Sequence, residues 1–250
     1  MNDFNRGYAR SIPADRADMS VDAGLRSFML GVYNKVALGL LLSAGLAFLT
    51  SAYQPVASLL YVLTPDGRLA GFTMLGTIVR FAPLVMMLVA MFAMRNPTAR
   101  SSGILYWALV ASMGAGLGVW LLAYTGASVA ATFLITAIAF GGLSLFGYTT
   151  KKDLTGFGSF LIMGLIGLVL ASLVQMFFPM PGLGFIISIL GVFIFAGLIA
   201  YDTQNLKMTY YQMGGDQQSM AVATNYGALS LYLNFINLFQ FLLSIMGNRR

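Results

Sequence analysis

The run Tyr226-Gly227-Ala228-Leu229-Ser230-Leu231-Tyr232-Leu233-Asn234-Phe235-Ile236-Asn237-Leu238-Phe239-Gln240-Phe241-Leu242-Leu243-Ser244-Ile245-Met246 contains no charged residue. It spans about twenty residues, the length a helix needs to cross a bilayer. Its polar members are not scattered. At about 100° per residue, Tyr226, Ser230, Asn234, Asn237, Gln240 and Ser244 fall within roughly a third of the helix circumference. Leu, Ile, Phe and Met fill the rest. Lipid offers such a seam no hydrogen-bond partner, so it must face other helices or a wet cavity. The run is therefore expected to be a central helix.

Composition agrees. Of 250 residues 58% are hydrophobic and 9% charged, and the mean hydropathy is +0.81, values of a multi-pass membrane protein. The formal net charge of +6 comes from Lys and Arg lying mostly near the ends of apolar runs, where topology signals belong. It does not form the basic and aromatic polar face that nucleic acid requires. The chain contains no His, no Cys and no Glu. That removes disulfides, Cys or His metal ligands, Cys nucleophiles, His general bases and histidine as a pH switch. The one Asn-x-Thr triplet that starts at Asn96 carries Pro97 at its middle position and accepts no glycan. These features suit a bacterial inner membrane.

The remaining chain reads outward from that helix. Residues 1–27 form a polar arm, expected to be cytoplasmic, in which Arg6, Arg10, Arg16 and Arg26 are balanced by Asp3, Asp15, Asp18 and Asp22. It lacks the pattern of a signal peptide. Residues 28–250 form the transmembrane domain, with spans expected at about 28–52, 78–94, 102–123, 127–148, 157–177, 183–204 and 225–246. Two longer connections remain, 53–77 with Pro55 and the turn-like Thr64-Pro65-Asp66-Gly67, and 205–224 with Gly214-Gly215-Asp216. With the amino terminus inside, only Arg68, Arg80, Arg249 and Arg250 among the basic residues fall outside. The last two would return inside if the final stretch dipped into the membrane and came back. Small residues recur at helix-packing spacing: Gly39, Ser43 and Ala47; Gly114 and Gly118; Gly164, Gly167 and Ala171. Gly114-Ala115-Gly116-Leu117-Gly118 follows no strand, so close packing is preferred to a nucleotide loop.

Asp202 is the one acid at the end of a long apolar run; the other seven lie in the arm or the connections. An ionisable group at membrane depth is a functional candidate. The plainer reading is an interfacial carboxylate that pairs with Lys207. Arg95 ends the second span on the same side, and Asn234 lies roughly 13 Å into the last span from that side. The three could share a layer, or Arg95 could be an anchor obeying the positive-inside rule.

At these residues the chain resembles a known family. Ala200-Tyr201-Asp202-Thr203-Gln204, followed by Ala228-Leu229-Ser230-Leu231-Tyr232-Leu233-Asn234-Phe235-Ile236-Asn237-Leu238-Phe239, is similar to the signature of the transmembrane Bax inhibitor motif family in its bacterial YccA-like branch. The resemblance implies an all-α fold of seven transmembrane helices, the last central and surrounded by the other six. It also implies a pH-sensitive calcium leak, or, in bacterial relatives, restraint of the membrane protease FtsH. The family's leak site pairs two aspartates beneath a latching arginine. Asp202 matches the first and Arg95 the arginine, but Asn234 stands where the second aspartate is expected. Two close carboxylates share a proton; one carboxylate beside an amide titrates alone. It also offers a divalent cation such as calcium fewer charged oxygens.

Two functions are thus expected: a cation-leak pathway gated around Asp202, Asn234 and Arg95, with calcium touching Asp202 transiently, or a regulator of FtsH whose handle is the arm. An enzyme is not expected. An aspartyl mechanism needs two carboxylates at depth, and a Ser–His mechanism needs a histidine. No resident cofactor is expected; the expected partners are the lipid bilayer and, for the regulator, FtsH.

Overall fold

A computed structural model describes residues 23–65, 69–180, 182–213 and 216–249. The elements are α1 (Ala23–Ala52), α2 (Gln54–Leu60), β1 (Tyr61–Leu63), β2 (Leu69–Phe72), α3 (Met74–Ala93), α4 (Ala99–Ala123), α5 (Gly126–Thr149), α6 (Thr155–Phe177), α7 (Leu183–Met213) and α8 (Gln217–Met246). Seven of the helices, all but α2, are long and apolar enough to cross a membrane. Most of the arm, residues 1–22, lies outside the described residues, as do Asp66, Gly67, Arg68, Gly214, Gly215 and Arg250. The arm's last five residues belong to α1.

The quoted run is the interior of α8. Half of its apolar window is buried, against 6% of that of α3, so α8 is the central helix. It packs directly on α7, α1, α4 and α5. The expected ring of six is uneven: α3 rests chiefly on α4, and α6 on α7. The outer faces of these two helices are apolar and exposed, with Leu84, Met91 and Phe92 on α3 and Phe160, Met163 and Ile166 on α6, the surface a helix turns toward acyl chains.

Two connections differ from expectation. Residues 205–224 are almost entirely helical, because α7 runs on to Met213 and α8 starts at Gln217. The hydropathy falls there, but Asn205–Met213 and Gln217–Thr224 contain no helix breaker. Asp216 begins α8, its carboxylate accepting from Ser219 N at 2.9 Å. Residues 53–77 are not a plain loop either. Pro55 lies in the first turn of α2, and β1 and β2 form an antiparallel hairpin. Thr73 ties the far side of the hairpin back, its N–H and hydroxyl donating to Leu60 O and Leu59 O.

The small residues act where backbones approach. A Cβ on Gly114 would lie 2.6 Å from Ser43 Cα, and one on Gly147 2.1 Å from Ala200 O, so α1 meets α4, and α5 meets α7, through glycines. Gly167, by contrast, faces open space.

Gly114→Val should therefore cost about 1–3 kcal/mol by overpacking, while Gly116→Val, with nothing within 4 Å of its Cβ, should be near neutral; thermal melts in detergent compare them. At the start of α8, the Ser219 hydroxyl and backbone N–H hold the Asp216 carboxyl below its usual range. A lowered folded-state pKa means that this cap stabilises above the ordinary carboxyl value and is lost as pH falls through the folded one. The protection factor of the Ser219 amide, exchange measured against its intrinsic rate at each pH, should fall in acid, and in Asp216→Ala already at neutral pH.

Candidate functional site

The site is built where α7 and α8 run antiparallel. Asp202 sits mid-helix on α7, half-buried. Ser230 Oγ donates to its Oδ2, and Asn234 Nδ2 donates to the same oxygen at 2.7 Å. Ser230 and Asn234 are four residues apart, so one α8 face presents both donors to the carboxylate. Two of the three residues expected to form the gate, Asp202 and Asn234, are thus brought together, and Ser230 of the polar seam joins them.

Arg95 is not among them. It lies exposed in the α3–α4 connection, two residues past α3, and no ion pair joins it to Asp202 among the described residues. Lys207 does not pair with Asp202 either. Five residues apart, the two point to different faces of α7, and the Lys207 ammonium donates to Tyr148 O at 3.1 Å. There it meets the carboxy-terminal turn of α5, where carbonyls lack helical partners and the helix dipole is negative.

The rest of the polar seam divides. Ser244 donates to Ser188 of α7 at 2.6 Å. Asn237 donates only to Leu233 O of its own helix. Gln240 lines a cavity at the far end, and Tyr226 is exposed.

Other polar residues matter that the seam did not contain. Buried Asn225 accepts from the Lys35 ammonium of α1 and donates to Ala99 O and Ser102 Oγ of α4, at 3.0 and 2.8 Å. Tyr106 OH donates to Lys35 O at 2.6 Å. Tyr232 OH and Ser43 Oγ share a hydrogen bond of 2.7 Å. Gln204 spans the α5–α6 connection, accepting from Leu154 N and donating to Lys152 O, both at 2.8 Å. The available signals were a single lysine inside the first apolar run and an asparagine at the edge of the last. Tyr232 gave none, since its ring reads as apolar.

A family model described as inhibitor of apoptosis-promoting Bax1 matches residues 25–250. The chain belongs to this Bax inhibitor family. A Caulobacter vibrioides protein is 70% identical over the full length of both chains. The inner membrane protein YbhL of Escherichia coli K12 is 42% identical over 91% of this chain and 94% of its own. A Rickettsia prowazekii protein, RP147, is 40% identical over 97% and 98%. In this member of the Bax inhibitor family the α7 acid is answered by a hydroxyl and an amide. Among the described residues, one carboxyl group therefore stands alone on that face of the helix pair.

Such a carboxylate depends on its donors. Asn234→Leu should destabilise the fold by roughly 1.5–3 kcal/mol, the cost of losing a hydrogen bond to a charged group. Asn237→Leu, which loses only a bond within its own helix, should cost less. Unfolding of the two variants in parallel gives the comparison.

Proposed function

We propose that this protein is a pH-sensitive cation-leak pathway of the bacterial inner membrane, with the Asp202–Ser230–Asn234 contact as its latch. The single observation that carries the reading is that contact: a half-buried acid within an apolar helix, joining α7 to the central helix. As a carboxylate, Asp202 accepts from both α8 donors. Protonated, it becomes partly a donor and binds them less well. Acid would therefore loosen α7 from α8, and base would close it.

The oxygens available to a passing divalent cation are those of Asp202, Ser230 and Asn234. Calcium takes six to eight oxygen ligands, so at this site it would keep much of its water. That suits transit rather than storage. Arg95, exposed and unpaired with Asp202, would act as a basic anchor in the present conformation.

Orientation is supported by charge. Arg26, Lys35, Arg95, Arg100, Lys151, Lys152 and Lys207 gather toward the end where α1, α4, α6 and α8 begin, against Arg80 and Arg249 toward the other. The positive-inside rule assigns the first end to the cytoplasm. Because α8 is continuous to Met246, the carboxy terminus would then be periplasmic.

In proteoliposomes, wild type should pass calcium with a flux that changes between pH 5 and 8, and Asp202→Asn should lose that dependence. Equal impermeability of both proteins across the range would reject the leak and favour the quality-control regulator. The chain has no cysteine, so single cysteines report topology directly. An impermeant maleimide added to spheroplasts should label Asn248→Cys and spare Asp153→Cys; the reverse pattern would invert the orientation.

A further inference from the structure

The two described arginines at the end opposite the basic cluster have no role in the latch. Both come to one cavity. It measures about 570 Å³ and lies between the hairpin, α3, α4 and the end of α8, with Arg80, Arg249, Gln240, Trp120, Tyr124 and Phe72 among its lining residues. Arg80 lies over the Phe72 ring at 5.0 Å from its centroid, and Arg249 over Tyr124 at 5.8 Å. No carboxylate lines the cavity or pairs with either guanidinium among the described residues. Asp66 and Arg68, between β1 and β2 in the sequence, are outside that set.

Arg249 is held there by the backbone. Thr125 N donates to Asn248 O at 3.0 Å, Asn248 N donates to Ser128 Oγ at 3.1 Å, and Tyr124 and Arg249 form an isolated antiparallel bridge. The chain end is thereby fastened to the α4–α5 connection, with its guanidinium at the cavity. Arg80 is the seventh residue of α3, about 9 Å along the helix. It is flanked by the exposed apolar side chains of Ile78, Phe81 and Leu84. A cation at that depth extends toward the interface, the level of lipid phosphates.

We propose that this cavity is a binding site for an anionic phospholipid. The phosphate would lie between the Arg80 and Arg249 guanidinium groups, which suit phosphate oxygens as planar, multidentate donors. The Gln240 amide, which makes no hydrogen bond within the described protein, would reach the headgroup or glycerol oxygens. Apolar Leu60, Leu69 and Val79 of the lining would meet the upper acyl chain. The apolar walls and the exposed face of α3 select a lipid over a soluble anion, and the two cations select a net negative headgroup.

Trp120 reports on the site. The chain has two tryptophans, so full-length Trp107→Phe leaves Trp120 alone. In phosphatidylcholine vesicles, brominated phosphatidylglycerol should quench Trp120 more than brominated phosphatidylcholine at equal mole fraction. The preference should be roughly thirtyfold in apparent affinity, as expected for two arginines near an anionic headgroup. Arg80→Gln with Arg249→Gln should abolish it. Arg249→Gln alone, at the exposed chain end, should reduce it severalfold, and this arm stands even if the double variant does not fold. Equal quenching by the two lipids, or a preference that survives both variants, would overturn the site. Loss of the preference on adding millimolar inorganic phosphate would make the ligand a free anion and overturn the lipid assignment.

Discussion

A polar side chain on a buried transmembrane helix must be answered by protein, because hydrocarbon supplies no donor or acceptor. The central helix α8 is arranged around that demand. Asn225 is answered by α1 and α4, Tyr232 by α1, and Ser230, Asn234 and Ser244 by α7. Each pair fixes a rotation and a register that apolar contact alone would leave loose. The glycine contacts between α1 and α4 and between α5 and α7 then bring backbones close enough for short side chains to reach.

The Asp202 contact differs from the others because it is the one that rests on a carboxylate. The Lys35–Asn225 and Tyr232–Ser43 contacts keep α8 fastened to α1 whatever happens at α7. A loosened α7 would therefore move against a core that stays assembled. Gln204 extends the consequence outward. Two residues beyond Asp202, it holds Lys152 O and Leu154 N, so a shift of α7 would be felt at the α5–α6 connection on the basic end.

How much of the site was legible depended on each residue's immediate neighbours. Asp202 stood out as an acid after an apolar run, and Asn234 as an amide on a seam, and they do meet. Arg95 matched a pattern at the end of a span, but it lies beyond the helix and exposed, where a long side chain remains in water. Lys207 was near Asp202 in number yet on another face of the helix, and the α5 carbonyl end was its partner. Arg80 and Arg249 were exceptions to the charge rule when read singly; only the folded chain puts the two at one cavity.

By itself the sequence determined the seven spans, the class, the central position of the last helix and the family. All of these follow from sums over about twenty neighbouring residues, or from short runs read in order. Only the tertiary structure decided where α7 and α8 begin and end, which polar residues pair, and that four helices rather than six press closely on the centre. Helix rotation, register and the reach of side chains between segments far apart in the chain set those features, and no window along the sequence contains them.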